Sequence, residues 1–160
     1  MSDWIRRMAE DEKRKLQDDA RRQDFQLHRA KIIEVSGPAV WDRLRLKVQQ
    51  DVDQYQQNFP GERAMAVRFD WTGETGLDAF RVTKKSHPAV TLDVTLELAA
   101  QSINVCYTST AEFGAEEQCT TSKFRFEVDE KDRVYLSADG REVLSAGQVS
   151  ERLLRPVLAA

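Results

Sequence analysis

Hydrophobic positions in the first third of the chain recur at three- and four-residue intervals, the spacing of a helix with one apolar face. Residues 3–34 contain no glycine or proline and predict a first helix. Gly37 is then able to end that helix, and Pro38 suits the first turn of the next. The second helix is predicted to end near residue 58, and its apolar stripe is Trp41, Leu44, Val48, Val52, Tyr55 and Phe59. The pattern therefore predicts two N-terminal helices.

The hydrophobic period changes from three or four residues to two between residues 63 and 137. Residues 91–98 show it most regularly, because Leu92, Val94, Leu96 and Leu98 alternate with four polar residues. About six such segments follow one another, and the links between them are too short for crossover connections. They predict an antiparallel meander, with Phe69, Leu96 and Phe126 expected deep in the core.

A last helix is predicted over residues 145–158. Ser145 and Gln148 have the spacing of a capping box, in which each side chain bonds the backbone of the other residue. Helices that are segregated from strands in this order indicate an α+β fold. We expect a single domain over residues 1–160, with the helices packed on one face of the sheet.

Composition narrows the range of partners. The net charge is −3 and the sequence pI is about 5.5, so a nucleic-acid partner is not expected. No window has the apolar length of a membrane span, and no apolar segment follows the charged N-terminus as in a signal peptide. We expect a cytoplasmic protein with no membrane partner. Familiar phosphate-binding, hydrolase and zinc motifs are absent, and this favours a non-enzymatic protein without a cofactor or metal.

The first helix is the main candidate for a functional surface. Nine basic and eight acidic residues occur between residues 1 and 35, and several acids precede a base by four positions, which stabilises an exposed helix. Its apolar stripe consists only of Trp4, Ile5, Met8 and Leu16. We expect residues 1–20 to project from the domain. The four apolar residues are then predicted to bind a protein partner or a second copy of the chain. The alternative is a solvated helix that folds back on the sheet.

A second hypothesis is a small-ligand binder or an enzyme. Its site would be a cavity between sheet and helices, or the sheet edge formed by the links at residues 84–88 and 111–119. That edge collects His87, Glu112, Glu116, Glu117 and Cys119, types able to hold a metal ion or to pair a base with a nucleophile. Polar loop residues without a ligand are the simpler interpretation, because their spacing matches no metal motif.

One histidine and the two cysteines are interpreted as structural residues. His28 lies between Phe25 and Ile32 on a helical face and is interpreted as a partly buried, hydrogen-bonded side chain. Cys106 is predicted on the outer face of the sheet and Cys119 at the end of the link at residues 111–119, so the two are expected to lie apart as free thiols.

Overall fold

The computed structural model describes residues 2–59, 61–74, 77–86, 88–110 and 117–159. Helix α1 (Asp3–Asn58) is followed by the single turn α2 (Glu62–Met65) and by the sheet. The strands are β1 (Val67–Thr72), β2 (Ala79–Lys84), β3 (Ala89–Glu97), β4 (Ser102–Thr110), β5 (Gln118–Val128) and β6 (Val134–Ser137). A 3-10 turn (Leu98–Ala100) links β3 to β4, and helix α3 (Ala146–Leu158) ends the chain.

The six strands pair in sequence order, and every pairing is antiparallel. The predicted α+β fold with an antiparallel meander is therefore confirmed. The alternating pattern of β3 places Leu92 between Val82 and Tyr107, and Val94 between Phe80 and Val105. The apolar side chains consequently lie on one face of the sheet, which α1 and α3 cover.

The prediction of two N-terminal helices was wrong, because α1 runs without a break for 56 residues. Gly37 is buried against the turn between β3 and β4, where an added Cβ would lie 2.9 Å from Leu98 Cδ1. The glycine therefore lies at a close helix–sheet contact and does not end the helix. Pro38 lies inside the helix and has no N–H to donate to the carbonyl of Glu34.

The core is a single cluster between α1, α3 and the sheet. Its largest fully buried side chains include Trp41, Leu44, Phe80, Leu92 and Phe126. The prediction of deep burial holds for Phe126, whereas Phe69 and Leu96 are only partly buried and lie at the margin of this cluster. Phe69 lies on the edge strand β1 and Leu96 next to the end of β3, so alternation alone overestimates burial at these positions.

Helix α3 is held to the rest of the fold by specific polar contacts. The predicted capping box of Ser145 and Gln148 is present. Ser150 donates to Asp51 Oδ2 on α1 at 2.7 Å. The Tyr107 hydroxyl on β4 donates to the carbonyl of Leu153 at 2.7 Å and also lies 3.4 Å from the carbonyl of Arg152. Pro156 has no N–H for the carbonyl of Arg152, and the Tyr107 hydroxyl bonds the neighbouring carbonyl of Leu153, so it ties α3 to β4 beside this interruption of the helix.

Replacing Pro38 by alanine tests whether α1 is continuous. Alanine restores an N–H for Glu34 and removes a ring from the helix interior, so we expect the free energy of unfolding to rise by about 1–3 kcal/mol. Urea denaturation measures this change, with the exposed Arg43→Ala in the same helix as a control that stays within roughly 0.5 kcal/mol. If residue 38 instead began a separate helix, the alanine variant would show no gain in stability.

The hydroxyl of Tyr107 provides a test of its buried position. Burial raises the pKa of Tyr107 to about 12, above the usual tyrosine value of about 10. Because the tyrosine of the unfolded chain ionises at a lower pH, the raised pKa is linked to the free energy of unfolding. The contribution of Tyr107 to stability is complete below about pH 10 and is lost as the pH rises from about 10 towards 12. We expect a spectrophotometric titration to show a late tyrosinate step that is missing in Tyr107→Phe. A titration curve without that difference would show that the ring is solvated.

Candidate functional site

The face of α1 that packs on the sheet loses its apolar character towards the N-terminus. Steps of three or four residues back from Ile33 lead to Arg29, Gln26, Arg22 and Asp19, which are all polar. Burial of such a face gains nothing from the hydrophobic effect, so the helix leaves the domain here. Every residue from 2 to 28 is exposed, and at 1.5 Å per residue this segment extends about 40 Å. We call residues 3–28 the projecting helix.

Arg29 anchors the projecting helix where it leaves the domain. Its guanidinium donates to Gln101 Oε1 at 2.6 Å, to the carbonyl of Phe126 at 2.8 Å and to Glu127 Oε2 at 2.8 Å. One side chain thus joins α1 to the start of β4 and to the end of β5. Three directed bonds from a planar group fix orientation as well as position.

His28 makes a second contact at the same level. Its Nε2 lies 3.5 Å from Asp132 Oδ2 in the turn between β5 and β6, and both side chains are largely exposed. The interpretation of His28 as a partly buried residue was therefore wrong. The helical face on which His28 was expected to be buried is itself exposed at Phe25, whereas the buried face of α1 passes through Ile33.

The projecting helix leaves the molecule with an unusually large surface. The accessible area is 11228 Å², whereas a compact monomer of 18.4 kDa is expected to expose about 8,200 Å². The excess of about 3,000 Å² exceeds the roughly 1,200–2,000 Å² buried in a standard protein–protein interface. There is therefore enough unburied surface on this segment for a full interface.

The four predicted partner-binding residues all lie on this surface. Trp4 is 63% exposed, and Ile5, Met8 and Leu16 are exposed as well. Ile5 and Leu16 are eleven residues apart, which is three turns plus only about 20°, so they lie on one line along the helix. Met8 is displaced from that line by about 60° and Trp4 by about 100°, both to the same side.

Leu27 belongs to the same line and was missed by the sequence prediction. It follows Leu16 by another eleven residues and is 69% exposed. The spacing was present in the sequence but is not a heptad, and so it was not recognised. We call Ile5, Leu16 and Leu27, with the smaller Ala9 and Ala20 between them, the apolar line.

The apolar line ends in a notch between the helix and the domain. The notch has a volume of about 580 Å³ and is lined by Gln23, Gln26, Leu27, Arg29, Ala30 and Gln101. It combines apolar surface from Leu27 and Ala30 with amide groups. A second helix laid along the apolar line would therefore meet the domain at this point.

The alternative site at the sheet edge is described only in part. His87, Glu112 and Glu116 lie outside the described residues, whereas Glu117 and Cys119 are exposed on or just before β5. Among the residues that the structure does describe, no group of three His, Cys, Asp or Glu side chains is placed to hold a metal ion. Cys119 instead contacts Cys106 on β4, so the prediction that the two thiols lie apart was wrong.

A second concave surface lies between the ends of α1 and α3. This groove has a volume of about 390 Å³, and its apolar lining comes mainly from Tyr55, Phe59, Leu154 and Leu158. It lies beside the helices and not under the sheet, where the space is filled by the buried core described above. Among the described residues this groove is the concave surface with the most apolar lining, and it is the candidate for a small apolar ligand.

The anchoring role of Arg29 is testable by its removal. Arg29→Ala leaves the Glu127 carboxylate and the Phe126 carbonyl without this donor, and we expect a loss of about 1.5–3 kcal/mol in the free energy of unfolding. Urea denaturation gives the value, with Arg22→Ala as the matched control because Arg22 lies on the same face but is fully exposed. Equal effects of the two substitutions would show that Arg29 does not anchor the helix.

Comparison of the chain with protein-family models, curated proteins and solved structures finds no match. Within the described part of the chain, no helix combines the length and apolar character needed to cross a membrane. The geometry of the projecting helix therefore provides the argument for function.

Proposed function

We propose that this protein is a non-enzymatic scaffold that associates with a second copy of itself through the projecting helix, in an antiparallel arrangement. The observation that carries this proposal is the apolar line. Its three large residues are spaced symmetrically about Leu16, since Ile5 precedes it and Leu27 follows it by eleven residues. In an antiparallel pair centred on Leu16, Ile5 of each copy packs level with Leu27 of the other.

One pair of charges on the projecting helix supports the same arrangement. In this pairing, residue n lies level with residue 32 − n of the other copy, so Arg6 of one copy comes within two residues of the level of Asp24 of the other. At 100° per residue both side chains point to the same flank of the apolar line, and opposite charges therefore meet at each end of the pair. This complementary contact favours the antiparallel register.

A parallel pair does not bring the tip of the helix to the notch. In a parallel, in-register pair Trp4 lies level with Trp4 and Leu27 lies level with Leu27, so the exposed tip of each helix stays about 35 Å from the notch of the other copy. Self-association through this helix is therefore proposed to be antiparallel.

The notch supports the choice of a second copy as the partner. In the antiparallel pair, Trp4 and Ile5 of one copy come level with His28 and Leu27 of the other, at the mouth of the notch. The exposed apolar tip of the helix thus reaches a concave surface that is partly apolar. Burial of Trp4 there would add a large contact area at the end of a thin stripe.

Such a pair would hold two α+β domains at a fixed separation. The two Arg29 anchors would lie about 39 Å apart along the helices, because residue 29 of one copy lies level with residue 3 of the other. The role supported by this geometry is that of an adaptor that presents two copies of the sheet domain.

Binding of a small apolar ligand is the second candidate function. The groove lined by Tyr55, Phe59, Leu154 and Leu158 favours it, because its volume lies within the range of ligand pockets. This candidate uses no part of the projecting helix. A protein that stays monomeric would shift the proposal to this groove.

Paired substitutions on opposite faces of the projecting helix test self-association. Leu16 and Phe25 are 69% and 68% exposed, but nine residues place them about 180° apart. Leu16→Lys sets two ammonium groups against each other at the centre of the pair, so we expect the dimer dissociation constant to rise at least ~10-fold. Phe25→Lys should leave it unchanged. Sedimentation equilibrium measures the constant, and circular dichroism checks that each variant stays folded.

The antiparallel register is tested by a charge exchange. Arg6 and Asp24 lie on the same flank of the apolar line, but about 27 Å apart within one helix, so they are able to couple only between copies. Arg6→Glu and Asp24→Lys should each weaken the dimer, and the double variant should restore it. A wild-type protein that remains monomeric, or equal effects of Leu16→Lys and Phe25→Lys, would contradict the proposal.

A further inference from the structure

Cys106 and Cys119 meet on the outer face of the sheet, away from α1 and α3. The register pairs Cys106 with Thr121, and Thr108 with Cys119, so the two cysteines are diagonal neighbours on β4 and β5. Their Sγ atoms are 2.9 Å apart and share a hydrogen bond. Both are free thiols, Cys119 exposed and Cys106 partly buried. The side chains already converge, so joining them requires little movement of the backbone.

The surrounding segment is weakly held. Residues 118–123 of β5 are all exposed, and this strand joins the core only from Phe124 onward. Strand β6 pairs with residues 125–128 alone, so β4 is the strand that pairs with the first half of β5. A ribbon with few buried apolar contacts opens more easily than the core. A covalent bond at Cys106 and Cys119 would therefore alter the stability of this ribbon.

We propose that Cys106 and Cys119 form a redox modification site that is converted reversibly to an intrachain disulfide by a low-molecular-weight disulfide. The thiolate of Cys119 attacks one sulfur of that disulfide, forms a mixed disulfide and releases one thiolate. Cys106 then loses its proton and attacks Cys119 Sγ, and the second thiolate leaves. The protein dithiol gives up two electrons and two protons, and the small disulfide becomes two thiols.

The environment assigns different roles to the two thiols. Cys119 is exposed and is the one that a reagent in solution reaches first. The pKa of Cys106 is raised, first by its hydrogen bond with Cys119 and then by burial. Once Cys119 carries the mixed disulfide, that hydrogen bond to its thiol is lost, so the proton of Cys106 becomes easier to remove. Cys106 is therefore the resolving thiol.

A metal chelate fits this pair less well than a disulfide. Asp93 lies opposite Cys106 in the register and is the nearest acidic neighbour across the ladder. Its carboxylate already binds Arg81 at 2.7 Å. Among the described residues, no third His, Cys, Asp or Glu side chain joins the two thiols in a group able to hold a metal ion.

Oxidation of the reduced full-length protein with glutathione disulfide tests the proposal. After alkylation of the remaining thiols, intact mass should show the intrachain disulfide in at least ~10-fold excess over glutathione adducts, because the second thiol is held at a high effective concentration. Cys106→Ser should instead accumulate a stable adduct at Cys119. The oxidised wild type should melt about 5 °C higher than the reduced form, and Cys106→Ser should show no such rise.

Three outcomes would overturn the proposal: stable adducts on the wild-type protein, disulfides between chains, or thiols that stay reduced in excess glutathione disulfide. Serine differs little in size from cysteine, and Cys119 is exposed, so folding of the variants is not in question. Circular dichroism of each variant verifies this directly.

Discussion

The change from apolar to polar residues along one face of α1, at Arg29, determines the shape of the molecule. Beyond this residue the helix buries Ile33, Gly37 and Trp41 against the sheet, and before it the same face carries Gln26 and Arg22. Apolar burial would have drawn the whole helix onto the domain, because burial is the main driving force of packing. The polar stretch removes that force, and the three bonds of Arg29 fix the direction in which the helix leaves. The projecting helix, its exposed apolar line and the notch all follow from this one transition.

Much of the fold was predictable because alternation and helical periodicity are local signals. The strand order, the antiparallel pairing and the capping box at Ser145 were all readable in this way. The continuity of α1 through Gly37 and Pro38 was not predictable, because the same two residues suit a helix end and a close helix–sheet contact. Only the position of Leu98, 61 residues further along the chain, distinguishes these possibilities. The local sequence at Gly37 and Pro38 fits both structures, and only the tertiary contact selects the continuous helix.

The candidate functional surfaces were also predictable only where they depend on local sequence. Trp4, Ile5, Met8 and Leu16 are readable as an exposed stripe because no burial partner is needed to recognise it. Leu27 and the notch were missed, since the notch exists only where Gln101, distant in sequence, meets the helix. The meeting of Cys106 and Cys119 was missed for a related reason. The link before β5 was taken to extend to residue 119, which moved Cys119 off the strand, whereas β5 begins at Gln118 and places the thiol beside its neighbour.

The anchoring of Arg29 also bears on how a thin stripe would specify the proposed partner. An isolated helix with three large apolar residues in a line has little surface with which to exclude competing registers. A helix fixed to a domain presents that line in one direction only, and the domain beside the notch stops a second helix from sliding further. Preorganisation of this kind lowers the entropy lost on association without adding any contact. In the proposed pair, the contact between Arg6 and Asp24 at each end then favours one register, so a defined pair would depend on rigidity and charge more than on buried area.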